Sequence, residues 1–155
     1  MRILLSAFAL LFVVGTGASA QSEEEAVMAT VNRLFEGMKT ADSVMVRSTF
    51  HPQARLQRAG INRQTGEPEL SSTPVDGFIG FIGGIEPGQA EEPIWDAVVQ
   101  IDDRLATVWV KYELIFNGEF HHCGVDAFEL WRSDEGWKVF QLTDTSRTED
   151  CWHQP

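Results

Sequence analysis

The stretch from Leu105 to Thr145 leaves this chain few folds to choose from. Three long runs rich in β-branched and aromatic residues, 105–116, 119–132 and 137–145, are separated by Asn117-Gly118 and by Ser133-Asp134-Glu135-Gly136. Asn-Gly is the favoured pair for a two-residue type I′ hairpin, and a four-residue polar turn closes the second hairpin. Strands joined so tightly must lie antiparallel and side by side. Ile94–Ile101, turning at Asp102-Asp103-Arg104, adds a fourth strand to this meander.

The N-terminal half reads differently. Ser22 and Glu25 form a capping box. Val27, Val31, Leu34, Phe35 and Met38 then recur at helical spacing, which predicts a helix of about five turns with one apolar stripe. Asp42 can cap a second, short helix whose Val46 and Phe50 share a face, and His51-Pro52 ends it. Residues 54–62 and 67–72 read as two short strands around Arg63-Gln64-Thr65-Gly66. Thr73-Pro74 opens a brief third helix bearing Val75, Phe78, Phe81 and Ile82. Gly77, Gly80 and Gly83 weaken that helix, so it is a candidate lid or close-packing element. Residues 84–93 read as a loop. Helices followed by consecutive antiparallel strands give an α+β class.

Residues 1–20 have the form of a secretory signal peptide: Arg2, the apolar run Ile3–Val14, and the small-x-small site Ala18-Ser19-Ala20. The run is shorter than the roughly 20 apolar residues of a spanning helix, so no stable membrane insertion is expected after cleavage. Residues 21–155 then fit one domain, exported to a periplasmic or secreted location. The chain carries 12 Lys+Arg against 23 Asp+Glu, a net charge of −11, and loss of Arg2 makes it one unit more negative. So acidic a surface repels phosphates and argues against nucleic acid as a partner. Cys123 and Cys151 are the two cysteines. In an oxidising compartment an even count favours a Cys123–Cys151 disulfide, and its loop of roughly 28 residues is worth about 3 kcal/mol. Two buried free thiols are the alternative.

The order of elements carries a resemblance. The long first helix, Thr40-Ala41-Asp42-Ser43 before a short helix, Phe50-His51-Pro52 and Ala54-Arg55-Leu56 resemble the nuclear transport factor 2-like (SnoaL-like) superfamily. The run His122-Cys123-Gly124-Val125-Asp126-x-Phe128, then Gly136-Trp137-Lys138 and Thr143-Asp144-Thr145 with Cys151, resembles a bacterial subgroup described as "putative lumazine-binding" proteins. The resemblance covers roughly the whole mature chain. It implies a cone: a strongly curved antiparallel sheet, a cystatin-like roll, wrapped around helices with a pocket between them. Superfamily members include isomerases, dehydratases, polyketide cyclases and non-catalytic binding domains, so the fold does not fix a function.

Counting register from the turns gives a candidate pocket. Phe116 opposite Glu119 places Glu113 opposite His122 and Trp109 opposite Asp126. Arg132 opposite Trp137 places Gln141 opposite Phe128 and Thr143 opposite Asp126. Because side chains alternate between faces, one face then carries Trp109, Glu113, His122, Asp126, Phe128, Gln141 and Thr143, with Phe78 facing them from the third helix. A single β-bulge would exchange the faces and bring in Tyr112 and Asp144 instead. Both faces are largely apolar, so a second subunit covering one of them, a homodimer, is expected.

His122 is the leading acid–base candidate because histidine titrates near neutral pH. Glu113 could orient it across about 5 Å, or the two could form a plain ion pair. Asp126, in an apolar strand, is either a base with a raised pKa or a carboxyl satisfied by Thr143 or backbone. His121 and His122, adjacent on a strand, should point to opposite faces, and no zinc-ligand spacing appears. Neither a metal nor another cofactor is implied. Two classes follow: a binding module for an unknown small molecule, or a cofactor-free isomerase, dehydratase or cyclase working by proton transfer.

Overall fold

A computed structural model describes residues 22–152. The expected signal peptide and the end of the tail lie outside the described residues. The elements run α1 (Glu23–Lys39), α2 (Ser43–Thr49), β1 (Phe50–Ile61), β2 (Pro68–Thr73), α3 (Val75–Ile82), β3 (Ala90–Glu91), β4 (Ile94–Asp102), β5 (Leu105–Phe116), β6 (Glu119–Ser133) and β7 (Gly136–Asp144). The class is α+β, with the helices packed on a curved, unclosed sheet. Its strand order is β2-β1-β7-β6-β5-β3, with β4 also paired to β5.

Local chemistry accounts for most boundaries. The Ser22–Glu25 capping box opens α1 in both directions, and Asp42 accepts from the Met45 amide to open α2. All five residues of the expected α1 stripe are buried. Two expectations need correction. Phe50 begins β1 rather than ending α2, because the Pro52 ring favours extended backbone just before it. The cap of α3 is Pro74 itself, with no side-chain hydrogen bond to its first turn.

The meander is antiparallel as expected, but the sheet is mixed. β1 lies parallel to β7, pairing Leu56 with Leu142 and Arg58 with Asp144. The turn-counted register also fails, at two bulges. Phe116 faces Glu119 and Ile115 faces Phe120, but Leu114 then faces His122, leaving His121 as the extra residue. On β7, Leu130 faces Val139 but Glu129 faces Gln141, leaving Phe140 extra. Beyond the bulges Asp126 therefore pairs with Val110 and Asp144, not with Trp109 and Thr143.

The core fills the end of the concave face nearer the β6–β7 turn. Val27, Val31, Leu34 and Phe35 of α1 pack with Val108, Phe128, Leu130, Trp137 and Val139. Phe35 and Phe128 meet edge to face at 6.1 Å. Each such side chain contributes about 1.5–3 kcal/mol through burial. Thr30 Oγ1 donates to the Trp137 carbonyl at 3.3 Å and fixes α1 over this end.

A disulfide joins Cys123 to Cys151. It fastens a C-terminal strap to the free flank of β6. Cys123 and Arg147 exchange backbone hydrogen bonds, and Thr145 N donates to the Val125 carbonyl. Among the described residues no helix is long and apolar enough to cross a membrane.

Candidate functional site

At the other end of the concave face, α1 and the sheet diverge around a hollow of about 550 Å³. Leu34, Phe35 and Met38 enter it from α1, Phe78, Phe81 and Ile82 from α3, and Leu114 and Phe116 from β5. Its titratable groups, Arg58, Glu92, Tyr112, His121, His122, Asp126 and Asp144, lie near one another, and Gln57, Ser71 and Thr73 add neutral polar groups to the wall.

Backbone pairing sets each of these groups. Arg58 and Asp144 are partners across the parallel β1–β7 ladder. Arg58 Nε reaches both carboxylate oxygens, at 3.0 and 2.9 Å, and its terminal nitrogen also contacts Oδ2. Tyr112 Oη donates to the Thr145 carbonyl at 2.8 Å and lies 3.3 Å from Asp144 Oδ2. Gly124 sits opposite Tyr112, and a Cβ there would lie 1.9 Å from the Thr145 oxygen and 2.9 Å from the Tyr112 ring. Only glycine lets the strap pass so close. Glu92 is carried in by the segment between β3 and β4, held where Ala90 pairs with Phe116 and Glu113 N donates to the Pro93 carbonyl.

The Glu92 and Asp126 carboxyls lie close enough to share a hydrogen bond. Two carboxyls can do this only with a proton between them. Asp126 is 3% exposed, and its Oδ2 meets no N–H or O–H donor. Burial, then the charges of Glu92 and Asp144, push Asp126 well above the carboxylate range. Glu92 is pushed up to about 8, first by burial and then by Asp144. His122 moves the other way, down to about 4, through burial and then Arg58 and His121. Tyr112 is raised by burial and by the neighbouring carboxylates. At neutral pH the site thus holds a neutral imidazole, a neutral phenol and a carboxyl pair that keeps a proton.

Residues 22–142 match the family model described as "Putative lumazine-binding". The chain belongs to this family. Solved structures with the same fold include an NTF2-like protein of unknown function from Shewanella baltica, 21% identical, with 82% of this chain and 95% of that one covered and a TM-score of 0.62. An NTF2-like protein from Cytophaga hutchinsonii is 12% identical over 82% of this chain and all of its own, with a TM-score of 0.64. An NTF2-like protein with a cystatin-like fold from Novosphingobium aromaticivorans is 11% identical, with 83% and 84% covered and a TM-score of 0.62. These likenesses establish the nuclear transport factor 2-like fold and nothing finer. No curated protein matches the sequence.

In this member of the family, the residues expected from turn counting separate into two groups. His122, Asp126 and Phe78 line the hollow, as do Tyr112 and Asp144, the pair a bulge was expected to bring in. Trp109 is instead 55% exposed on the convex face, because the His121 bulge hands the concave face of β5 to Val108, Val110, Tyr112 and Leu114. For the same reason Glu113 pairs with Cys123 rather than His122. The Phe140 bulge turns Gln141 and Thr143 away: Gln141 Nε2 donates to Thr143 Oγ1 at 2.8 Å and to Gln57 Oε1 at 3.1 Å. Phe128 faces inward but lies in the filled core. His121 and His122 do not diverge, since the bulge brings their Nδ1 atoms to 2.6 Å. Among the described residues no three His, Cys, Asp or Glu are placed to hold a metal ion. Sequence reading missed Arg58 and Glu92. Arg58 depends on a parallel pairing that no turn announces, and Glu92 sits in an aperiodic loop beside Pro93.

Proposed function

We propose that this chain is an exported protein that binds a small organic molecule in the hollow between α1, α3 and the sheet. The observation that carries the reading is the form of that hollow: about 550 Å³, walled largely by Leu, Ile, Met and Phe side chains, with a cluster of titratable groups in its wall. That is how small-molecule sites are generally built. The signal-like residues 1–20 and the Cys123–Cys151 pair support export, since disulfides persist in oxidising compartments. Native mass spectrometry of the protein recovered under mild conditions should find a small molecule that is absent from Leu114→Trp, in which an indole fills the hollow. A wild-type protein that carries nothing and binds nothing in a thermal-shift screen of small organic compounds overturns the reading.

Glu92 and Asp126 favour a second reading, a cofactor-free enzyme that moves a proton on its ligand. A proton shared by the buried Asp126 and the half-buried Glu92, which titrates at about 8, is available near neutral pH. His122, lowered to about 4, is a weak base there. On this reading Asp126→Asn abolishes turnover with little change in Tm, whereas His122→Ala retains part of it.

The convex face supports a homodimer. Trp109, Val98, Leu105 and Trp131 are each more than 40% exposed there, and an apolar patch of this kind is commonly covered by a self-complementary copy. Light scattering should give twice the chain mass, falling to one with Trp109→Glu.

A further inference from the structure

The wall of the hollow is unbalanced in charge. Glu92, Asp126 and Asp144 all face it, against Arg58 as the one Lys or Arg among its described lining residues. Arg58 is already committed: Asp144 grips it with both oxygens and Tyr112 closes on Asp144 from the other side. It is therefore poorly placed to receive an anion. Asp126, almost wholly buried at the cavity wall, presents an oxygen that no donor in the protein reaches. Phe35, Phe78, Phe81, Phe116 and Tyr112 surround the remaining space. A buried carboxyl with an oxygen that no donor reaches, beside the half-buried Glu92 and among aromatic rings whose faces attract positive charge, suits a cation.

We infer that the hollow takes a small apolar molecule carrying a protonated amine, with its ammonium group seated on Glu92 and Asp126 and its apolar body among the phenylalanines. This rests on the small-molecule reading above. In the empty site the shared proton stands in for the missing cation. Binding an ammonium makes that proton unnecessary, so the complex forms with proton release, and the proton passes to solvent. The groups facing the pair are Arg58 from β1, Tyr112 from β5, His121 and His122 from β6 and Asp144 from β7. The Arg58 and Asp144 charges offset each other. The neutral imidazole of His122 at pH above 6 adds no repulsion.

The test compares three probes of one shape by calorimetry: 2-naphthylmethylamine, 2-naphthylmethanol and 2-naphthoate. At pH 7 the amine should bind at least about tenfold more tightly than the other two, a gap of about 1.4 kcal/mol. Buffers of different ionisation enthalpy should report a proton released on amine binding. The amine's affinity should rise between pH 6 and pH 8, as the pair becomes easier to ionise. Glu92→Gln should narrow the gap between amine and alcohol. If the alcohol or the naphthoate binds as well as the amine, the cation inference is wrong and the small-molecule reading survives. If none of the three binds, the cation inference is wrong, and the small-molecule reading is decided by the compound screen above.

Discussion

The two ends of the concave face are built from the same three strands, yet one is solid and the other hollow. Near the β6–β7 turn, Phe128, Leu130, Trp137 and Val139 meet the stripe of α1 in one buried cluster. Farther along the same strands, Tyr112, His122, Asp126 and Asp144 stand apart from α1 and α3 across a cavity. The difference is not in the face, since all eight residues point the same way. It lies in how closely a helix lies over each end, and in what the bulges place there. A strand pattern reports which way a side chain points. It does not report whether anything fills the space above it.

The contrast makes a sharp demand on truncations. Phe128→Ala removes a ring from the filled end and should cost about 3–5 kcal/mol. Leu114→Ala at the hollow should cost less than about 2 kcal/mol, because it only enlarges a space already there. Urea denaturation of the pair decides this, and equal losses would mean that the hollow is packed in solution. Gly124→Ala tests the polar end's dependence on the strap. A methyl 1.9 Å from the Thr145 oxygen has no flexible side chain to displace, so a loss of about 3 kcal/mol is expected, together with loss of the Tyr112–Thr145 hydrogen bond. Cys151→Ser should cost about 3 kcal/mol through the unfolded chain. Amide exchange should show its effect concentrated at residues 123–125 and 145–147, with the α1 end protected as before.

The pH response separates the ends more gently. Glu92 and Asp126 are raised above their unfolded values, so the native state holds protons that the unfolded chain has lost. Their contribution is complete below about pH 4 and declines as pH rises through about 8. The slope is about 1.4 kcal/mol per pH unit for each proton retained. His122, lowered to about 4, acts in the opposite sense: between about pH 4 and 6.5 the unfolded chain binds the extra proton, so its contribution grows with pH. Above pH 6.5 the carboxyl pair alone should set the trend, with stability falling toward pH 8. Asp126→Asn should flatten that fall. An unchanged slope in the variant would mean that the shared proton lies elsewhere.

Much of this architecture was legible in the residues. The α1 stripe, the Ser22 and Asp42 caps and the Asn117-Gly118 turn follow from local rules that tertiary structure did not override, and the cysteine pairing follows from an even count. The site was half legible. His122 and Asp126 were found as polar residues in an apolar strand, but their neighbours were misassigned because register was counted outward from the turns. A single extra residue, His121 on β6 or Phe140 on β7, shifts every pair beyond it. The alternation within β5 pointed the right way: Ala106, Val108, Val110, Tyr112 and Leu114 form the more apolar row, and all but the partly buried Leu114 are fully buried. Arg58 and Glu92 had no such signal. One is placed by a long-range parallel pair, the other by a loop whose course depends on the sheet beneath it.

That parallel pair has a consequence for how the molecule comes into being. β1, near the start of the chain, finds its neighbour in β7, near the end. The first strand made therefore waits for the last before its inner edge is satisfied, and a ribosome releasing the chain piecemeal gives it nothing to join. Such distant contacts slow folding toward the millisecond-to-second range. Cut after Ser133, the N-terminal portion would expose an unpaired edge at β1, so neither half of this polypeptide is a self-sufficient folding unit.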